Sequence, residues 1–287
     1  MESEKLTAPA ESPTRRVRRM SSPKSFTDGL TRRLFLTLLT IQGLGAFALI
    51  TLGVILKKSR VARPVIAPLT RKEISRAGVK LLPLFLFLSG ALGFLVIGQA
   101  VSWLTRVGVA NGYLGKIMVF VVVRELGPLL AAVLMLARVG AANVIELGTA
   151  RALREVEALE ALSIDPIHYL VVPRVIGLAL GTFSLTVYLI LGALVSGYLW
   201  AFLQDVPLTP GDYFQQLAGA LRGLDFVLLA LKTCAFGFII AIVTCYHGLA
   251  QPLRLEEISR ATVRAVAQGV IAFVILDALF IVIYLLA

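Results

Sequence analysis

Arg124 and Glu125, a cation and an anion side by side, interrupt the otherwise apolar stretch 117–137 and are the residues best suited to chemistry in this chain. A charge held in hydrocarbon costs several kcal/mol unless a partner or water meets it. Neighbours on a helix point about 100° apart, so these two cannot simply pair with each other, and each needs a partner of its own. Two readings stay open: structural ion pairs with other helices, or a polar lining for an amphiphile. Pro128 removes a backbone donor and invites a kink that neighbouring polar groups then satisfy. Asp277, deep in the apolar stretch 265–286, is either a hydrogen-bonding anchor or a proton site; with no relay in view it reads as the anchor.

Other reactive types are sparse. Cys234 and Cys245 share one apolar segment and fall roughly 16 Å apart along a helix, beyond disulfide reach. They read as small apolar fillers. His168 and His247 stand at the ends of apolar segments, where an interfacial hydrogen bond suits them better than a metal. No Ser-His-Asp or zinc-peptidase spacing is present, and residues 112–116 have the wrong spacing for a phosphate-binding loop. No catalytic residue and no metal site is assigned.

The elements that carry these residues belong to a membrane. The chain has 287 residues, 58% apolar and 16% charged, with a mean hydropathy of +0.87, which excludes a water-soluble globular fold. Lys and Arg number 28 against 17 Asp and Glu. A nucleic-acid binder would carry that excess on a folded polar domain, and none is available here, so no nucleic acid is expected as partner.

A bilayer core about 30 Å thick needs roughly 20 apolar residues per helical span. Residues 34–56, 81–105 and 175–204 are uncharged, and 117–137, 226–246 and 265–286 are apolar with one or two charges, giving six candidates. The basic residues reduce them to five. Residues 57–80 and 1–33 hold eight basic residues each, and if 34–56 spanned the membrane one of those blocks would have to be translocated. Residues 34–56 are therefore expected to lie in the interface, preceded by a disordered basic cytoplasmic tail over 1–33 and followed by a basic connector to residue 80. The long apolar run ending in Lys57 and Lys58 argues against a cleaved secretory signal. Five spans then occupy 81–287, with the amino terminus cytoplasmic and the carboxyl terminus outside.

The longest polar stretch between spans runs from Glu146 to Leu162 and is closed by Ser163-Ile-Asp-Pro166. Leu153, Val156, Leu159 and Leu162 form an apolar stripe beside Arg151, Arg154, Glu155, Glu157 and Glu160, which predicts one amphipathic helix with Arg151 and Glu155 a turn apart. It reads either as a solvated loop helix or as a docking helix for a partner's groove. Gly177 with Gly181, Gly127 with Ala131, and Ala193 with Gly197 place small residues where membrane helices can approach closely.

The order and spacing of Arg124-Glu-Leu-Gly-Pro128, Ala137-Arg-Val-Gly140, Glu146-Leu-Gly-Thr149, Glu157-Ala-Leu-Glu-Ala-Leu-Ser-Ile-Asp-Pro166 and Val172-Pro-Arg174 resemble the MlaE/YrbE permease family. The similarity continues through Gly248 and Ile258-Ser-Arg-Ala-Thr262 to Asp277, from about Leu81 onward. The resemblance implies the membrane subunit of an MCE-type ABC phospholipid transporter in the bacterial inner membrane. This would be an all-α polytopic homodimer of five spans behind an interfacial helix. It also implies a cytoplasmic ATPase that holds ATP and Mg, an extracytoplasmic MCE-domain protein and a small STAS-domain protein, with no cofactor on this chain and no covalent chemistry. Carried onto this sequence, it places lipid at Ile97, Leu104, Arg124, Glu125 and Leu126, and coupling to the ATPase at Glu146, Thr149, Arg151, Arg154, Glu155, Glu157 and Asp165. The chain departs from the family at Arg154-Glu155-Val156, where a Glu-Gln pair is common, and at Tyr246-His-Gly-Leu249, where Phe-Asn-Gly-Tyr is familiar. A proton-coupled secondary transporter using Glu125 and Asp277, and a non-transporting scaffold, are the rival readings.

Overall fold

The computed structural model describes residues 24–58, 63–100, 117–203, 209–249 and 254–286. The described residues are helical with no strand, as lipid demands of a backbone that must satisfy its own hydrogen bonds. Residues 1–43 and 44–287 form two separate compact units. The described part of the first is one helical segment that starts α1 (Lys24–Lys58). This start lies inside the stretch expected to be tail, and no proline interrupts the chain from Lys24 to α1's end. The rest of that tail lies outside the described residues.

In the second unit, α1 continues from Leu44. Phe47 meets the Tyr246 ring edge-on at 5.9 Å. α2 (Arg63–Ala77) leads through a tight turn at Val79–Leu81 into α3, which begins as Leu82–Leu92 and widens into a π turn at Gly93–Ile97. α4 is continuous over Val119–Ala152, with wide π segments at Val119–Leu126 and Leu136–Gly140. A short helix α5 (Glu155–Ala161) precedes α6, Ile167–Leu203. α7 (Pro210–Ala220), α8 (Gly223–Leu249) and α9 (Ile258–Leu286) complete the chain.

Among the described residues, six helices are long and apolar enough to cross a membrane. Five of them are 27 to 37 residues long with hydropathy of 2.1 to 2.8, whereas the candidate in α1, Thr40–Lys57, has 18 residues, hydropathy 1.6 and 6% of its length buried. It is a borderline span, in keeping with the expectation of five spans behind an amino-terminal helix. α6, at about 1.5 Å per residue, reaches well beyond a 30 Å core and carries its ends into the interfaces.

α6 is the hub, packed against α2, α3, α4 and α8, while α4 also packs on α8 and α9. Its outward face is large and apolar, with Leu191, Val195 and Leu199 exposed; its inward face is small. A methyl group on Gly177 would lie 2.7 Å from Glu73 Cβ of α2, and one on Gly181 would lie 2.9 Å from Ala77 Cβ. α8 answers with Gly237, where a methyl would stand 2.5 Å from the Leu178 carbonyl oxygen and 2.6 Å from Ala179 Cα. Helices without a hydrophobic drive toward one another gain adhesion from this kind of close backbone approach. α7 is capped by Thr209, whose hydroxyl accepts from the Asp212 amide at 3.2 Å. Tyr213 pins α7 to α6 by donating to the Leu194 carbonyl at 3.0 Å. Burial pushes that phenol up to about 12, so it stays a donor at any physiological pH.

Gly237→Ala should lower stability by about 1–3 kcal/mol, because the added methyl overpacks two backbones. Gly90→Ala, where a methyl meets nothing within 4 Å, should be neutral or gain up to about 1 kcal/mol from helix propensity. Thermal unfolding of both variants in the same detergent checks the contrast.

Candidate functional site

The wide segment Val119–Leu126 carries Arg124 and Glu125 into the junction of α4, α8 and α9, and each has a separate partner, as their adjacency requires. Arg124 Nη2 lies 2.8 Å from Asp225 Oδ1, and Glu125 Oε2 lies 3.1 Å from Lys232 Nζ. The guanidinium also stands over the Tyr284 ring, 5.0 Å from its centroid, a cation–π contact that strengthens away from water. Asp225 is held in place by the first turn of α8, where its Oδ2 accepts from the Arg222 amide at 2.9 Å.

Lys232 is the centre. Its side chain is 0% exposed, and an ammonium can be kept there only if its donors are met. It donates to the Arg124 carbonyl at 2.8 Å and to Glu125 at 3.1 Å, and lies 2.7 Å from Asp277 Oδ1 in an ion contact off the hydrogen-bond axis. Pro128 bears on the first bond. In a regular α-helix the amide of residue 128, which proline lacks, would meet the Arg124 carbonyl. Here the wide turn closes with the Gly127 amide on the Val122 carbonyl, five residues back, and Lys232 is the donor that α8 brings to Arg124. Asp277, for which the sequence leaves an anchor or a proton site open, thus stands as an ion partner of Lys232.

The sequence alone does not single out Asp225, Lys232 and Tyr284: Lys232 is the charge that interrupts 226–246, and Asp225 falls just before that stretch. The signal available was spacing. Asp225 and Lys232 are seven residues apart on α8, as are Asp277 and Tyr284 on α9, so each pair shares a helix face. In antiparallel neighbours the two pairs fall level with one another.

Of the expected lipid residues, Arg124, Glu125 and Leu126 lie together on α4 and are half-buried, the two charged side chains keeping 20% and 19% exposure. Leu104 and the side chain of Ile97 lie outside the described residues.

The polar stretch 146–165 is not the single helix expected. α4 ends at Ala152, Arg154 adopts the left-handed conformation (φ 61°), and α5 starts afresh at Glu155. Glu155 and Glu157 occupy the first turn of the new helix, where the amino-terminal dipole favours acids. The break changes the pairing: Arg151 lies 3.6 Å from Glu157, not opposite Glu155, too far for a hydrogen bond. Only Val156 of the apolar stripe is buried, while Leu153 and Leu162 are 59% and 71% exposed. Ser163, also left-handed (φ 60°), closes α5, and Asp165 Oδ1 accepts from the Ile167 amide at 3.1 Å to start α6. Glu146 and Thr149 lie on α4 before this elbow. Glu146 is shared by Arg76 of α2 at 2.7 Å and Arg174 of α6 at 3.3 Å. An apolar hollow of about 280 Å³ opens beside Val156, Leu159, Leu162 and Leu170.

These features define a multi-pass helical membrane protein in which Arg124, Glu125, Asp225, Lys232 and Asp277 meet in one three-helix junction, with a polar elbow at one end. The family model described as Permease MlaE matches residues 70–283. The chain belongs to the MlaE permease family. It is 30% identical over 234 residues, covering 82% of this chain and 89% of the relative, to a probable ABC transporter permease protein of Rickettsia prowazekii. A probable ABC transporter permease protein of Synechocystis is 32% identical over 72% of this chain and 78% of its own length. The chloroplastic protein TRIGALACTOSYLDIACYLGLYCEROL 1 of Arabidopsis thaliana is 29% identical over 72% of this chain and 59% of its own.

Lys232→Met should destabilise the fold by about 3–5 kcal/mol, since it leaves two carboxylates and a carbonyl without their cation. Arg124→Gln and Asp225→Asn should each cost less in the presence of the other than alone, because they break the same pair. Thermal unfolding of Lys232→Met checks the first effect, and a double-mutant cycle on Arg124 and Asp225 read the same way checks the second.

Proposed function

We propose that this chain is the membrane-embedded subunit of an ABC transporter that moves phospholipid or a related lipid, acting as a homodimer in the bacterial inner membrane. Its amino terminus is cytoplasmic and its carboxyl terminus periplasmic. ATP and Mg are bound and hydrolysed in a separate ATPase, an MCE-domain protein exchanges the lipid outside, and a small STAS-domain protein can join the assembly. The observation that carries this reading is the family match over residues 70–283, which takes in the elbow and five of the six candidate spans. The name of the Arabidopsis relative, built on a glycolipid, favours lipid as cargo.

The elbow suits the ATPase contact. Glu155, Glu157 and Glu160 are exposed on α5, and the hollow beside Leu159 and Leu162 can take an apolar side chain. Arg151, Arg154, Thr149 and Asp165 shape the elbow, and Glu146 ties its base to α2 and α6. For cargo, the part of Arg124 and Glu125 that their ion pairs leave exposed is what a polar head group would meet, with Leu126, Ile97 and Leu104 as the apolar wall. Glu125 and Asp277 both face Lys232, which gives these acids a structural task without proton transfer.

Purification from native membranes followed by mass spectrometry should recover an ABC ATPase, an MCE-domain protein and lipid; recovery of none of them would overturn the reading. Glu155→Arg with Glu157→Arg should cut ATPase recovery several-fold while costing thermal stability no more than about 1–2 kcal/mol, because both side chains are exposed and lose only a favourable place at the helix start and the Arg151 contact. Undiminished recovery would remove the elbow from the contact.

A further inference from the structure

At the elbow end of the bundle, α2, the turn after it, α4 and α6 border a half-open cavity of about 480 Å³ whose charged lining is Lys72, Glu73, Arg76, Lys80, Glu146 and Arg174. Its size falls within the range of small-molecule sites. Four cations face two carboxylates. One of those carboxylates, Glu146, is already engaged by Arg76 and Arg174, whereas Lys72 and Lys80 have no ion pair among the described residues. Arg174 is only 11% exposed, and its Nε is buried without a hydrogen-bond partner. A concave site with surplus positive charge and an unmet buried donor calls for an anion.

The depth of the site says which kind. Lys80 immediately precedes the uncharged run that begins at Leu81, and Arg174 immediately precedes the one that begins at Val175. The cations therefore stand where the apolar part of each helix starts, at the level of lipid head groups, and Leu69 and Leu170 supply an apolar wall. Basic pockets between spanning helices at this depth collect anionic head groups. The cavity is also far from the Lys232 junction: Glu146 and Arg124 are separated by roughly 33 Å along α4. We propose that it holds the phosphate of an anionic membrane lipid, at a site separate from the cargo path. A free phosphate offers the same chemistry from another source.

The test uses the full chain in detergent micelles, read by native mass spectrometry after exchange with phosphatidylglycerol or phosphatidylcholine. Wild type should retain phosphatidylglycerol in preference. Lys72→Gln with Lys80→Gln, both exposed and so compatible with an unchanged unfolding temperature, should weaken that retention about tenfold. Arg260→Gln, an exposed cation on α9 outside the cavity, should leave it unchanged, as should excess inorganic phosphate. Equal retention by the double variant and wild type would overturn the proposal. An equal loss in Arg260→Gln would also overturn it by reducing the effect to bulk charge. Displacement by inorganic phosphate would overturn the lipid assignment in favour of a free anion.

Discussion

A fully buried ammonium organises the membrane domain. Lys232 cannot be hydrated where it stands, so the surrounding helices must bring acceptors and countercharge to it: a carbonyl and a carboxylate from α4 that accept its hydrogen bonds and a second carboxylate from α9 as ion partner. Once those are in place, the relative height and rotation of the three helices are determined, because a shift of one turn would separate charges that lipid cannot solvate. Apolar surfaces alone do not give that registry in a bilayer, where a leucine is as well solvated by a lipid tail as by a neighbouring helix. A second pair, Arg124 with Asp225, repeats the constraint two turns along α8, and the Tyr284 ring closes it.

The remaining cohesion comes from small residues. α6 sits among four neighbours with its glycines turned inward, and α2 and α8 approach to distances that admit no side chain between the backbones. Two kinds of specificity therefore divide the bundle. Shape holds α6 to α2 and α8, and charge holds α4 to α8 and α9. α8 takes part in both, with Gly237 one and a half turns beyond Lys232, so it joins the shape-packed half to the charge-packed half.

Much of this was legible in the order of residues. Uncharged runs of sufficient length located the spans, and the geometry of neighbouring residues on a helix required separate partners for Arg124 and Glu125. The partners themselves were hidden, because naming them needs to know which helices are neighbours, and hydropathy is silent on that. Asp225 looked like part of a connection since polar residues precede it, yet it sits in the first turn of α8. The break at Arg154 had no local sign either. Arginine is a good helix former, and the turn is made by the chain restarting with two acids rather than by a glycine or proline. The amphipathic stripe counted across that break consequently dissolved, leaving Val156 as its one buried member.

Pro128 cannot extend the amide ladder past Gly127, so α4 carries carbonyl capacity there that its own backbone does not use, and Lys232 draws on it at Arg124. A backbone irregularity on one helix is thereby read by a side chain on another, more than a hundred residues further along the chain.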